Sequence, residues 1–186
     1  MLPLEHQFER YRPYLKMVAR LQIDGPLQGK IDPSDIVQQT LIEAFQGQTQ
    51  FRGSTNAELS AWLRQILARN LADEIRRLGR QKRNIALEKS LHEQLNETTL
   101  VLERWLASND SSPSECAMHS ERLLQLAAAL ADLPTDQRRA IELYHLQGKT
   151  AAEVAQALER TEVAVAGLLR RGLQKLRAHL RTMERD

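Results

Sequence analysis

Between Thr150 and Leu180 the chain reads TAAEVAQALERTEVAVAGLLRRGLQKLRAHL, and its punctuation leaves little conformational freedom. TAAE (Thr150 to Glu153) is a capping box, in which a hydroxyl and a carboxylate reciprocally satisfy the free N–H groups that open a helix. A short helix with Val154, Ala155 and Leu158 on one face follows, then the tight turn ERT, where Thr161 can cap a second helix. Val165, Leu169 and Leu176 are the inward positions of that second helix, and Ala155 is small where two helices must cross closely. Two helices joined by about three residues form a helix-turn-helix, whose second member can lie in a DNA major groove. The same pair also serves elsewhere as a plain packing element, so further observations must decide.

The rest of the chain carries the same 3.6-residue period. Leu4, Phe8, Tyr11, Leu15 and Val18 mark one stripe of a helix from about Leu4 to Gln22, with a kink predicted at Pro13. In DPSDIVQQTLIEAF, Asp32 is a good N-cap, Pro33 suits the first helical position, and Asp35 favours the positive end of the helix dipole. Val37, Leu41, Ala44 and Phe45 are the predicted buried stripe. Asp35, Gln38, Gln39 and Ile42 share another face, unusually rich in uncharged amide. After a loop from Gln46 to Glu58, a helix from about Ala57 to Leu78 has Leu59, Leu63, Ile66, Leu71, Ile75 and Leu78 as its core stripe. Arg69, Asp73, Arg76, Arg77 and Arg80 line a second side, with Asn70 near them and Trp62 on the border. In residues 81–113, Leu87, Leu91, Leu95, Leu102 and Trp105 suggest an interrupted amphipathic helix.

SPSE then opens a further helix, about Ser114 to Leu130, and LPTDQRRAIELYHLQGK adds another, capped by Thr135 or Asp136 and stopped at Gly148. No segment alternates as a strand does, and aromatic residues make up only 4% of the chain, which favours helix over sheet. The expected fold is all-α: two small helical domains, 1–80 and 114–186, joined by a linker at 81–113.

Net charge is only +2, but the basic groups are clustered. Arg76 to Arg83 holds five basic groups and no acid, and from Arg160 onward seven basic groups face three acidic ones. Two basic patches on a near-neutral chain point to two polyanion contacts. The loop FRGSTN, beside Trp62, has the small polar groups and nearby aromatic suited to holding an unstacked base. A single cysteine, Cys116, excludes an internal disulfide and fits a reducing compartment. No apolar run approaches the roughly 20 residues of a membrane span, so a cytoplasmic protein is expected. The five histidines share no spacing, and Cys116 with His119 offers only two zinc ligands. There is no phosphate-binding loop and no nucleophile elbow. No metal, other cofactor, small-molecule substrate or catalytic activity is expected.

In this order, DPSDIVQQTLIEAF, then FRGSTNAELSAWLRQILARNLADEIRR, then LPTDQRRAIELYHLQGKTAAEVAQALERTEVAVAGLLRRGLQKLR resemble the sigma-70 family. They look most like its extracytoplasmic-function (ECF) subgroup, and the resemblance covers about 10–80 and 114–180. It implies a sigma factor that binds core RNA polymerase and directs transcription initiation at a subset of promoters. By that resemblance Asp35, Ile36, Gln38, Gln39 and Ile42 fall where the family binds the clamp helices of the polymerase β′ subunit. Arg52, Asn56, Trp62, Arg69, Asn70, Arg76, Arg77 and Arg80 fall in the block that reads and melts the −10 element. Arg160, Thr161, Glu162, Ala164, Ala166, Gly167, Arg170, Arg171 and Lys175 fall in the winged-helix-like region 4, which docks on the β flap and reads the −35 element.

Several positions depart from the family pattern, among them Ala166, Gly167 and Leu168, which stand at basic and serine positions of the recognition helix. Gln39 stands where many members have Glu, and Glu159 replaces the glycine usual in the turn, which implies a turn either strained or differently shaped. Ala164, Ala166 and Gly167 are expected to let the backbone approach the groove, with Ala methyls against thymine methyls. Arg160, Thr161, Arg170, Arg171 and Lys175 would then hold phosphates. The linker, about 30 residues, reaches roughly 100 Å if extended and about 45 Å if helical. It is expected to be extended in a promoter complex and helical, folded back, in the free protein. With no long C-terminal sensor extension, control by an outside protein such as an anti-sigma factor, or by expression level, is expected.

Overall fold

The computed structural model describes residues 4–23, 27, 29–79, 85–107 and 116–183. Among these the chain is helical throughout, without a strand: α1 (Leu4–Arg10), α2 (Arg12–Gln22), α3 (Pro33–Gln46), α4 (Asn56–Gly79), α5 (Ile85–Ala107), α6 (Cys116–Ala131), α7 (Thr135–Ile141), α8 (Ala151–Leu158) and α9 (Glu162–Met183). The chain divides into two compact units, 1–124 and 125–186.

In the first unit α2 is the central element, with Tyr14, Leu15, Met17, Val18 and Ala19 fully buried. It packs on α3, α4 and α5. Pro13 does not kink a continuous helix. The helix stops at Arg10, and Pro13 lies in the first turn of α2, where its missing N–H costs nothing. Leu59, Leu63, Leu67 and Leu71 form the buried ridge of α4.

The segment read as linker holds a 23-residue helix, α5, packed against α2 and α4. Leu91, Leu95 and Leu102 are buried there. A polar group also ties it down: the Arg64 guanidinium donates to Asn96 Oδ1 (2.8 Å), Tyr14 Oη (2.9 Å) and Ser60 Oγ (2.8 Å), and Tyr14 and Thr99 share a hydrogen bond of 2.7 Å. Such a linked set fixes the register of α5, because breaking one member strands buried donors.

In the second unit Leu126, Leu130, Ile141 and Leu176 are fully buried. Ala140, Leu143, Val154, Ala155, Leu158 and Val165 form the cluster that joins α7, α8 and α9. Neither Thr135 nor Asp136 caps α7; Pro134 is its N-cap and no side chain bonds there. The last turn of that helix widens into a π-helical segment, Glu142–Leu146, before Gly148 reverses the chain at φ +68°. Ala155 is buried at the α8–α9 crossing. Gly172 is required by packing: a Cβ there would stand 2.8 Å from Ile141 Cδ1 and 3.3 Å from Gln137 Cβ.

Candidate functional sites

Helix α3 is set by its first residues. Asp32 accepts from Ser34 N at 2.7 Å, and that bond holds its carboxyl below the usual range. Asp35, Gln38, Gln39 and Ile42 then emerge on the outer face, Ile42 with 43% of its surface exposed. Ile36 does not join them: it is 7% exposed and belongs to the core with Val37 and Leu41. Phe45, expected inside, is 42% exposed. Gln38, Ile42 and Phe45 are spaced i, i+4 and i+7, so they form one stripe, while Ala44 takes the inward place. The stripe borders a groove of about 550 Å³ lined also by Phe8, Glu9, Arg12, Leu41 and Gln46. Gln39 donates to Glu43 at 2.8 Å.

The loop before α4 is closed by a second capping box, Thr55-Asn56-Ala57-Glu58, which the sequence reading passes over although it has the same T-x-x-E pattern. Glu58 accepts from Ser54 N (2.8 Å), Thr55 N (3.0 Å) and Thr55 Oγ1 (2.9 Å), and Thr55 Oγ1 accepts from Glu58 N (3.2 Å). These donors, the Ser54 N–H foremost, hold the Glu58 carboxyl below its ordinary value. Asn56 is exposed, and its carbonyl accepts from the Tyr11 hydroxyl at 3.1 Å, a phenol that burial pushes up to about 12. Trp62 is half-buried between Phe51 (ring centroids 5.2 Å apart) and Phe8 (6.2 Å). Arg52 is exposed.

Along α4 the expected basic face is largely paired. Arg69 binds Glu43 of α3, and Arg77 binds Glu74 through bonds of 2.9 and 2.5 Å. Arg76 pairs with Asp73 and has only 11% of its side chain exposed. Asn70 is not on that face: it is buried, donating to Thr40 Oγ1 at 3.1 Å. Arg80 lies outside the described residues.

The helix-turn-helix forms as its punctuation requires. Thr150 Oγ1 accepts from Glu153 N (3.3 Å) and the Glu153 carboxylate accepts from Thr150 N (2.7 Å), which holds that carboxyl low. The turn contains Glu159 in the left-handed region (φ 54°, ψ 47°), the conformation glycine adopts without steric cost. Thr161 Oγ1 accepts from Ala164 N at 3.2 Å, and Arg160 pairs with Asp136 of α7 at 3.3 Å. On α9, Glu162, Ala166, Arg170, Arg171 and Lys175 are exposed, and Ala164 and Gly167 are half-buried. The space over Gly167 is taken by the Arg171 guanidinium, 3.2 Å from where a Cβ would sit. Val163, absent from the expected contacts, is 83% exposed. Its position two residues after the cap is the sequence signal that could have found it.

Among the described residues no three His, Cys, Asp or Glu side chains gather as a metal site, and no helix is long and apolar enough to cross a membrane.

Residues 7–81 match the family Sigma-70 region 2, and residues 123–176 match Sigma-70, region 4. Similar proteins include the RNA polymerase sigma-H factor of Bacillus licheniformis, 23% identical over 186 residues that cover 97% of this chain and 81% of that one. The ECF RNA polymerase sigma factor SigD of Mycobacterium tuberculosis is 26% identical over 174 residues, covering 94% and 75%. The ECF RNA polymerase sigma factor SigX of Bacillus subtilis is 35% identical over 74 residues, covering 40% and 38%. The chain belongs to the sigma-70 family, in its ECF group: it is a sigma factor, which directs promoter-specific transcription initiation with RNA polymerase.

Proposed function

We propose that three separate surfaces divide the work of this sigma factor. The outer stripe of α3, Asp35, Gln38, Gln39 and Ile42 extended by Phe45, takes the β′ clamp helices. The loop at 51–55 with Trp62, Asn56 and the arginines of α4 opens the −10 element. The second unit docks on the β flap and places α9 at the −35 element. The protein works by binding in the cytoplasm and is not itself an enzyme; a separate anti-sigma protein is a partner for control. Unstacking a base costs a few kcal/mol per step, which binding to polymerase and DNA together must offset.

The observation that carries this reading is the α3 stripe. Two exposed apolar side chains stand beside three polar ones on a helix whose other face is fully committed to the core. Apolar anchors within a polar rim are what a protein partner uses. Retention of the chain on core polymerase tests it, with Asp35→Ala plus Gln38→Ala expected to weaken retention and promoter-directed transcription together. A double variant that binds core as the parent does would remove α3 from the interface. Failure of the parent itself to bind core would leave a free-standing DNA-binding regulator as the better account.

A further inference from the structure

Helix α9 advances about 100° per residue, so its outward direction can be read from its buried side. Val165, Gly172 and Leu176 are buried, and Leu168 and Leu169 pack against the same core. The centre of the opposite face is therefore Val163, Gly167, Arg170 and Gln174, all within about 40° of one line. Only the first turns of such a helix reach the floor of a groove, while later residues meet its phosphate walls. In those first turns the central side chain is Val163, 83% exposed and the most exposed large apolar residue among the described ones.

Two of the polar groups around it are already engaged. The Thr161 hydroxyl caps α9, and the Arg160 guanidinium is held by Asp136 on α7. Gly167 has no side chain, and the Arg171 guanidinium lies across it. Glu162 is an acceptor whose charge opposes the phosphates. Ala166, on the flank, adds one more methyl. An isopropyl group can discriminate only against an apolar feature, and the major-groove edge of a base offers one: the C5-methyl of thymine.

We infer that Val163 determines sequence at the −35 element by packing its isopropyl group on the C5-methyl of one thymine. This rests on the proposed reading of α9 as the −35 helix. It differs from contact through Ala164, which is turned half into the protein.

The test uses the full chain assembled with core polymerase on a promoter selected from a library. Each −35 thymine is replaced in turn by deoxyuridine, which removes one methyl and alters no hydrogen-bonding group. At one position the parent holoenzyme should lose roughly fourfold in affinity, the value of one buried methyl. Val163→Ala, which favours the helix, should lose a similar factor on the thymine promoter, and the deoxyuridine replacement should then have no further effect. A selected −35 element without thymine overturns the inference. So does indifference of the parent to deoxyuridine at every position, or a Val163→Ala loss of equal size on thymine and deoxyuridine promoters. In those outcomes promoter-specific complexes still form and only the methyl contact fails. If no −35-dependent complex forms on any promoter, the reading of α9 itself fails as well.

Discussion

The two units present cationic helices in opposite ways. On α4 each described arginine of the candidate −10 face is held by a carboxylate: Arg69 by Glu43, Arg76 by Asp73, Arg77 by Glu74. On α9, Arg170, Arg171 and Lys175 make no ion pair among the described residues, and the apolar Val163 and Ala166 precede them. An Arg–Glu pair on a surface contributes only tenths of a kcal/mol to folding, but it leaves that surface locally near neutral. On the proposed reading, the first unit would act by shape and base capture around Trp62, the second by phosphate anchoring around a small apolar reader.

The largest expected effect breaks one unit and spares the other. Gly172→Val drives a branched side chain into Ile141 and Gln137, and overpacking of this kind should cost about 3 kcal/mol. Thermal unfolding should show the loss, and −35-dependent binding should vanish while retention on core through α3 persists, weakened only by the lost β-flap contact. Retention lost in parallel would mean that the two units are not energetically separable.

Next in size is salt dependence, which probes the charge contrast directly. Arg170→Ala with Arg171→Ala should flatten the plot of log affinity against log salt by about two units, roughly 0.9 per phosphate contact. Arg69→Ala with Arg77→Ala should flatten it by less than about half as much, because each neutralises a carboxylate before it can meet a phosphate. Equal slopes from the two pairs would erase the distinction drawn between the helices.

A smaller effect concerns the turn. Glu159 sits at φ 54°, and relieving a left-handed non-glycine residue should stabilise the second unit by about 1 kcal/mol in Glu159→Gly, read from denaturant midpoints. A destabilised variant would show that Glu159 makes a compensating contact.

The smallest effect is shared by both units. Glu58 and Glu153 are lowered from 4.5 by the N–H groups they cap, so their stabilising contribution is complete above that value and is lost as pH falls through the lower, folded value. Melting temperature should therefore decline below about pH 4.5, and Glu58→Gln plus Glu153→Gln should make that decline shallower. An unchanged acid limb would assign the loss to other carboxylates.

Much of this was legible in the chain because it is local. A capping box involves residues three apart, so TAAE at Thr150 declares itself, as TNAE at Thr55 does once the same rule is applied. Period alone also sorts the outer stripe of α3, but packing decided that Ala44 rather than Phe45 faces inward, since the adjacent Ile36 and Val37 of the same helix are both buried. Asn70 is different. It neighbours Arg69 in sequence, yet one residue of helix turns it by about 100°, toward Thr40 on another helix. Arg76 is likewise covered to a degree that its basic neighbours do not suggest.

By itself the sequence determined most of the helices, the caps at Asp32, Thr150 and Thr161, the order of the two motif blocks and the family they announce, since each depends on residues within a few turns of one another. The tertiary structure alone decided that Arg69 is already paired with Glu43 of another helix, and that the helix expected within the linker is held by Arg64, Tyr14 and Thr99. It also decided what the two glycines of α9 are for. Gly172 accommodates Ile141, 31 residues earlier, whereas Gly167 lies under Arg171 of its own helix. Where side chains meet across helices, as Arg69 with Glu43 and Gly172 with Ile141, packing rather than local pattern decides.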